Sequence, residues 1–255
     1  MVLAGAGVAH DVLVKLAEER FGGDFGHFRG RKAPKVLRPP AVYKGGEWRV
    51  DMPDELMLHV GVFYEGVPFN HPDMYAMATL QTLLGGGSSF SSGGPGKGMY
   101  SRLYVNVLNA HGWIDSIQAQ MFAYSDSALF GLTGTTAPTH ARALLDVFTT
   151  ELRRLLVPVH PYELARAKNQ LKASMFMHLE SRAVQFEDMA RQVLELDTCL
   201  SPAQAGELID AVTPEDISRV VERMLGTPPT LAVTGDCAYA PSLADYKSPL
   251  AAKLK

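Results

Sequence analysis

Seven of the fourteen residues from Gly85 to Gly98 are glycine and four are serine. Such a run offers chemistry through its backbone, because bare amides can approach an anion or an extended peptide closely. Ordering it is costly in backbone entropy, which argues against use as a plain connector. Phosphate binding is poorly supported. The spacing GxxxxGK[ST] fails at both ends, with Ser91 at the first glycine position and Gly98 where a hydroxyl would meet Mg²⁺. Gly94-Pro-Gly96-Lys-Gly98 is GxGxG, and Gly5-Ala-Gly7 is followed by His10 at the third glycine position. Two readings remain open: a flexible lid whose amides and hydroxyls read a peptide main chain, and a tolerated Gly/Ser insertion.

None of the eight histidines stands in HExxH or HxxEH. The nearest arrangement is His160-Pro-Tyr-Glu163-Leu164, with leucine in place of the second histidine. One His and one Glu do not supply the three protein ligands and the base of a catalytic zinc. Cys199 and Cys237 are the only cysteines and lack CxxC spacing, so a disulfide framework and a zinc knuckle are both disfavoured. A reducing compartment is the better expectation.

The elements that must hold these residues belong to an ordinary globular chain. Of 255 residues, 47% are apolar and 20% charged, and the mean hydropathy is near zero. That composition buries a sizeable core and excludes disorder of the whole chain. No apolar run of about 18 residues is present to span a membrane as a helix. The net charge of −3 argues against a strongly basic nucleic-acid binder.

Met1 to Val8 reads as a buried strand ending in a glycine turn, followed by a helix with Val12, Leu13, Leu16 and Ala17 on one face. A chain opening in this way predicts that residues upstream belong to the native protein. The stretch 23–46 is rich in Gly, Pro and cations and reads as a linker. Alternation from Leu56 to Phe63 predicts a strand. Asn70-His-Pro-Asp73 predicts a helix start with Asn70 as cap, and Met74, Met77, Leu80 and Leu84 continue it. A second helix is expected over 99–109, a hairpin over 114–124 and 128–136, and helices over 139–156, around 164–178 and over 184–196. Thr213-Pro-Glu-Asp216 opens another helix, and Thr230 to Thr234 is a last strand. The order predicts an α+β fold with a mostly antiparallel sheet packed with helices.

The run GGGSSFSSGGPGKGMYSRLY from Gly85 to Tyr104 closely resembles the α-type subunits of the mitochondrial processing peptidase, in the pitrilysin-like family of zinc peptidases. His111-Gly-Trp113, Glu163-Leu-Ala-Arg-Ala-Lys168, Leu179-Glu-Ser-Arg182 and Phe186-Glu-Asp-Met-Ala-Arg-Gln-Val193 extend the match to nearly the whole chain. Active relatives carry an Arg and a Tyr near residues 107–115; this chain has neither, and Asp115 stands where a Tyr is expected.

The resemblance implies a pitrilysin/LuxS-like fold of two similar domains. Residues 1–22 then match the last strand and helix of the first domain, and 47–255 the complete second. It implies a non-catalytic, substrate-recognising subunit in the mitochondrial matrix with no cofactor or metal of its own. Zinc sits in the partner β-subunit, and the substrates are Arg-rich presequence peptides. The implied substrate-binding residues are Gly85, Gly86, Gly87, Ser88, Ser89, Phe90, Gly93, Gly94, Gly96, Lys97 and Gly98 of the loop, with Glu163, Glu187 and Asp188. Helix pairing is the plain alternative for the carboxylates, through Glu163–Arg166 and Glu187–Arg191. Arg102 and Arg182 are expected in structural ion pairs. Family relatives also include core subunits of the respiratory bc1 complex on the matrix face of the inner membrane, so a structural role there is the alternative reading.

Overall fold

The computed structural model describes residues 2–21, 39–89, 99–246 and 249. They form two compact units, Met1–Ala41 with Ala173–Gly206, and Val42–Lys172 with Glu207–Lys255.

The larger unit is built on a sheet of β1 (Gly46–Asp51), β2 (Leu58–Glu65), β3 (Gly86–Ser88), β4 (Ile114–Ala123), β5 (Ala128–Thr136) and β6 (Thr230–Gly235). The strands lie in the order β1-β6-β2-β5-β4-β3, antiparallel throughout except for the parallel pair β1–β6. Period-two alternation decides which side is dry. Leu58, Val60, Val62 and Tyr64 of β2 are buried, as are Phe130 and Leu132 of β5 and Leu231 and Val233 of β6. His59, Thr133, Thr135 and Gln118 fall on the opposite face and stay partly or fully exposed. The dry face is packed by α2 (Met74–Leu84), α3 (Ala141–Arg154) and α7 (Pro214–Leu225), whose buried residues recur at helical spacing: Leu144, Leu145, Phe148 and Leu152 in α3, and Ile217, Val220, Val221 and Met224 in α7. Each such side chain contributes about 1.5–3 kcal/mol through burial.

The expected α+β class and the hairpin, α3, α7 and β6 are all present. Several details differ. The N-cap of α2 is Asp73 rather than Asn70, because a backbone turn comes first: His71 N donates to Pro68 O at 3.0 Å, and His71 Nδ1 accepts from Asp73 N at 3.1 Å. The helix expected over 99–109 is confined to 102–108 and is π-wound from Tyr104 to Leu108. β1 lacks apolar alternation, since Glu47 and Trp48 are exposed, and its pattern carries no strand signal. Its charges instead fasten a later segment. Arg49 donates to the carbonyls of Ala240 and Pro241, and Glu47 accepts from Leu243 N at 2.8 Å.

The smaller unit contains α1 (His10–Phe21), the last part of α4 (Pro161–Leu179), α5 (Arg182–Leu196) and the start of α6 (Pro202–Ala211). The strand expected before α1 is not formed: described residues 2–8 pair with no other strand, and a lone extended segment has no ladder partners. Neither α1 nor α5 contains a fully buried residue. Contacts group residues 173–206 with the start of the chain.

The start of α7 is held by reciprocal bonds. Thr213 Oγ1 accepts from Asp216 N at 3.1 Å, and the Asp216 carboxylate accepts from Thr213 N at 2.9 Å. Arg219 bridges this carboxylate to Asp73 at the start of α2. The backbone amide of Thr213, with Arg219, holds the Asp216 carboxyl below the usual carboxylate range. A lowered folded-state value means that this stability is complete above the unfolded value, about 3.9, and is lost as pH falls through the folded one. Thr213→Ala should cost about 1 kcal/mol in urea unfolding. Asp216→Asn should flatten the acid limb of stability below about pH 4; an unchanged limb would remove Asp216 from that role.

Candidate functional site

The glycine-rich run begins as structure, not as open loop. α2 ends at Gly85 with φ of 56°, and Gly85 O accepts from Ala119 N at 2.9 Å. Gly86, Gly87 and Ser88 form edge strand β3 opposite Gln118, Ile117 and Ser116, and Ser89 N donates to Asp115 O at 2.7 Å. Gly86 has φ of +104°, and a Cβ there would collide with the Ile117 carbonyl oxygen, so only glycine permits this approach. A Cβ on Gly87 would meet nothing within 4 Å. Phe90, Gly93, Gly94, Gly96, Lys97 and Gly98 lie outside the described residues.

The far root of the run is fastened to the near one. The Ser101 side chain is buried, and its Oγ accepts from Gly86 N at 3.1 Å. The next residue, Arg102, forms a two-pronged bridge to Glu163 of α4, Nε to Oε1 at 2.7 Å and Nη2 to Oε2 at 2.8 Å. Arg166, one turn along α4, donates to Tyr100 O at 2.8 Å. The alternative Glu163–Arg166 helix pair gives way to two longer-range contacts from α4 to residues 100–102. Both Glu163 oxygens are engaged, so a substrate guanidinium would have to displace Arg102. The π-wound turn that follows is tied to α3, where the buried Glu151 carboxylate accepts from Asn106 Nδ2 at 3.3 Å and from Arg154.

Glu187 and Asp188 sit on α5 in the smaller unit. Glu187 is largely exposed and pairs with Arg191 at 2.8 Å, the i,i+4 contact expected of a solvated helix face. Asp188 is half-buried. Its Oδ2 accepts from Gln192 Nε2 at 2.6 Å, and Gln192 Oε1 accepts from Leu200 N at 2.8 Å. Asp188 lines a largely apolar cavity of about 310 Å³ with Met175, Met189, Leu200 and Ala205. Sequence reasoning missed Ser101 and Gln192 and gave Arg166 a different partner; the available signal for Gln192 was its i,i+4 spacing from Asp188. Arg182 makes no ion pair among the described residues; its guanidinium instead lies against Gly7, where a Cβ would come within 3.2 Å of Nη1.

The His160–Glu163 pair does not fit a zinc ion. His160 Nδ1 accepts from Tyr162 N at 3.2 Å at the start of α4, while Glu163 is committed to Arg102. Among the described residues no group of three or more His, Cys, Asp or Glu is arranged to hold a metal. Trp113 has a packing role: its ring stacks on His140 with centroids 5.2 Å apart and meets His111 at 5.4 Å.

Residues 1–171 match the family model described as the peptidase M16 inactive domain. The chain belongs to the M16 peptidase family. Within it, the chain is 39% identical over 251 residues to the mitochondrial-processing peptidase subunit alpha of Caenorhabditis elegans, covering 92% of this chain and 49% of that protein. The human subunit alpha is 36% identical, over 99% of this chain and 50% of its own length. The probable subunit alpha of Schizosaccharomyces pombe is 40% identical over 88% of this chain and 46% of its own. The chain therefore spans about half the length of these curated relatives. A chain of Complex III2 from Candida albicans, Inz-5 bound, shares the fold with a TM-score of 0.77 at 19% identity, over 95% of this chain and 56% of that one.

The two root glycines give a test. Gly86→Ala should destabilise by roughly 1–3 kcal/mol through backbone strain and clash, whereas Gly87→Ala should stay within about 0.5 kcal/mol. Thermal unfolding of both variants checks this, and equal effects would contradict the edge-strand assignment.

Proposed function

We propose that the chain is part of the non-catalytic, substrate-recognising α-type subunit of a heterodimeric zinc endopeptidase that removes presequences from imported mitochondrial proteins. Zinc and the catalytic residues belong to a β-type partner, and the substrates are Arg-rich presequences. A mitochondrial protein of the matrix is the corresponding location. The observation that carries this reading is the α-subunit likeness over nearly the whole chain. The inactive-domain model supports the same division of labour.

In this reading the chain's own residues bind and orient. The clasped roots at Gly86, Ser101 and Arg102 present the glycine-rich segment from a fixed base. Glu187 and Asp188 supply carboxylates for guanidinium groups, which form directional, charge-assisted bonds. Glu163 supports the base through Arg102. The alternative, a structural core subunit of the cytochrome bc1 complex, shares the fold seen in the Complex III2 chain.

Reconstitution of the full-length protein with a β-type partner separates the two. Presequence cleavage should require both chains and disappear with a chelator, with neither chain active alone. Cleavage by the partner alone at the same rate would refute a recognition role and favour the structural one.

A further inference from the structure

β1 ends the sheet, so one of its two edges faces no other strand among the described residues. The ladder decides which residues line that edge. Gly46 N donates to Pro229 O at 3.3 Å and Met52 N to Gly235 O at 2.9 Å, and the parallel register with β6 is continuous between them. Even-numbered residues of β1 therefore turn their backbone groups to β6, and Glu47, Arg49 and Asp51 turn theirs outward. An open edge of this kind is a template for a further strand. The side chains alternate as well. Trp48 stands in line with Ala232, Gly61, Thr133 and Gln118, on the sheet face opposite the buried core, and is 59% exposed. Glu47 and Arg49 project to the other face, where they pair with each other and hold the segment 240–243. A large exposed indole thus sits in the middle of an open edge, with an acid on one side of it and a base on the other.

We propose that this edge is an interface with a second copy of the chain, in which two β1 strands pair antiparallel about a two-fold axis at Trp48. Charge selects the register. Centring on Trp48 sets Glu47 opposite Arg49 of the other copy, twice by symmetry, and overlaps five residues of each strand. Centring on Glu47 sets that carboxylate against its own copy. Centring on Arg49 opposes the two arginines and sets Glu47 against Asp51. Centring on Val50 opposes Arg49 to Asp51 but overlaps only three residues. In the favoured register the outward backbone groups of Glu47 and Arg49 exchange hydrogen bonds across the axis. The two Trp48 residues then form a non-hydrogen-bonded pair, the closer of the two antiparallel spacings, with Cα atoms about 4.5 Å apart. Aromatic pairs at such positions favour strand pairing beyond the area they bury. So short a contact buries less than the roughly 1,200 Å² of a standard interface, so the dimer is weak and concentration-dependent. It is independent of presequence recognition, since it uses neither the glycine-rich segment nor any carboxylate assigned to substrate.

Sedimentation of the chain from about 1 µM to 1 mM, with residue-resolved hydrogen exchange at each concentration, tests the interface. Dimer should accumulate as concentration rises, and the amides of Glu47 and Arg49 should slow in step with it. The Trp48 amide, already turned to β6, should not change. Trp48→Thr keeps a strand-forming residue and should weaken dimerisation about tenfold. Two charge variants separate the interface from any loss of folding. Glu47→Arg alone sets arginine against arginine across the axis, and Arg49→Glu alone sets glutamate against glutamate, so each should weaken its own dimer. Mixed in equal amounts, the two variants restore an acid opposite a base at both positions, and a mixed dimer should form. A disturbed tail contact would weaken both variants without this rescue. A chain that stays monomeric throughout, with unchanged exchange at Glu47 and Arg49, would overturn the proposal. A dimer that Trp48→Thr leaves intact, or one that leaves these two amides unprotected, would place the contact elsewhere and overturn it too. Protection of the same amides by a β-type partner, with no dependence on this chain's own concentration, would assign the edge to that partner instead.

Discussion

The two-pronged bond between Arg102 and Glu163 is the contact on which the candidate site in the larger unit depends. It joins α4 to the residue that follows Ser101, and Ser101 in turn accepts from Gly86 at the other root of the glycine-rich run. Bringing two distant points of a chain together has an entropic cost, and fixing both roots makes that cost part of folding. The bridge is only partly exposed, at 16% and 21% of the two side chains, so it is less screened than a surface pair. Hydrogen bonds to charged groups of this kind contribute about 1.5–3 kcal/mol each when both partners are present.

That arrangement puts Glu163, Glu187 and Asp188 in three different environments. Glu163 is saturated by Arg102 and acts on the frame. Glu187 is solvated and bound to its own helix neighbour. Asp188 lines a largely apolar cavity, and its Oδ2 accepts from Gln192. Charge, burial and hydrogen bonding thus separate residues that the sequence motif treats alike. The near-neutral balance of the chain is consistent with recognition by a few placed carboxylates rather than by a broad acidic field.

Much of the fold was legible from periodicity. β2, the β4–β5 hairpin and α7 have one clear dry face or a strong cap, and the structure forms them near their expected bounds. β1 was illegible because its pairing is parallel and at the sheet edge, with Trp48 exposed and its charges spent on a segment almost two hundred residues away. The N-terminal strand failed for the opposite reason, since apolar content without a neighbouring strand does not make a ladder. At the site, residue types were readable but partners were not. Glu163 offered a local partner in Arg166, and the structure prefers Arg102, whose rigid fork matches both carboxylate oxygens.

Hydrogen exchange at the amides of Gly86, Ser89 and Ala119, compared between the native chain and Glu163→Gln, tests the clasp most directly. These amides bond to Ser101 Oγ, Asp115 O and Gly85 O, all around the root of the glycine-rich run. If the bridge holds the roots, their exchange should quicken by about tenfold, the equivalent of roughly 1.4 kcal/mol, while α7 amides keep their protection. Unchanged exchange at all three amides in the variant would show that the roots hold without Arg102–Glu163, and would contradict the account.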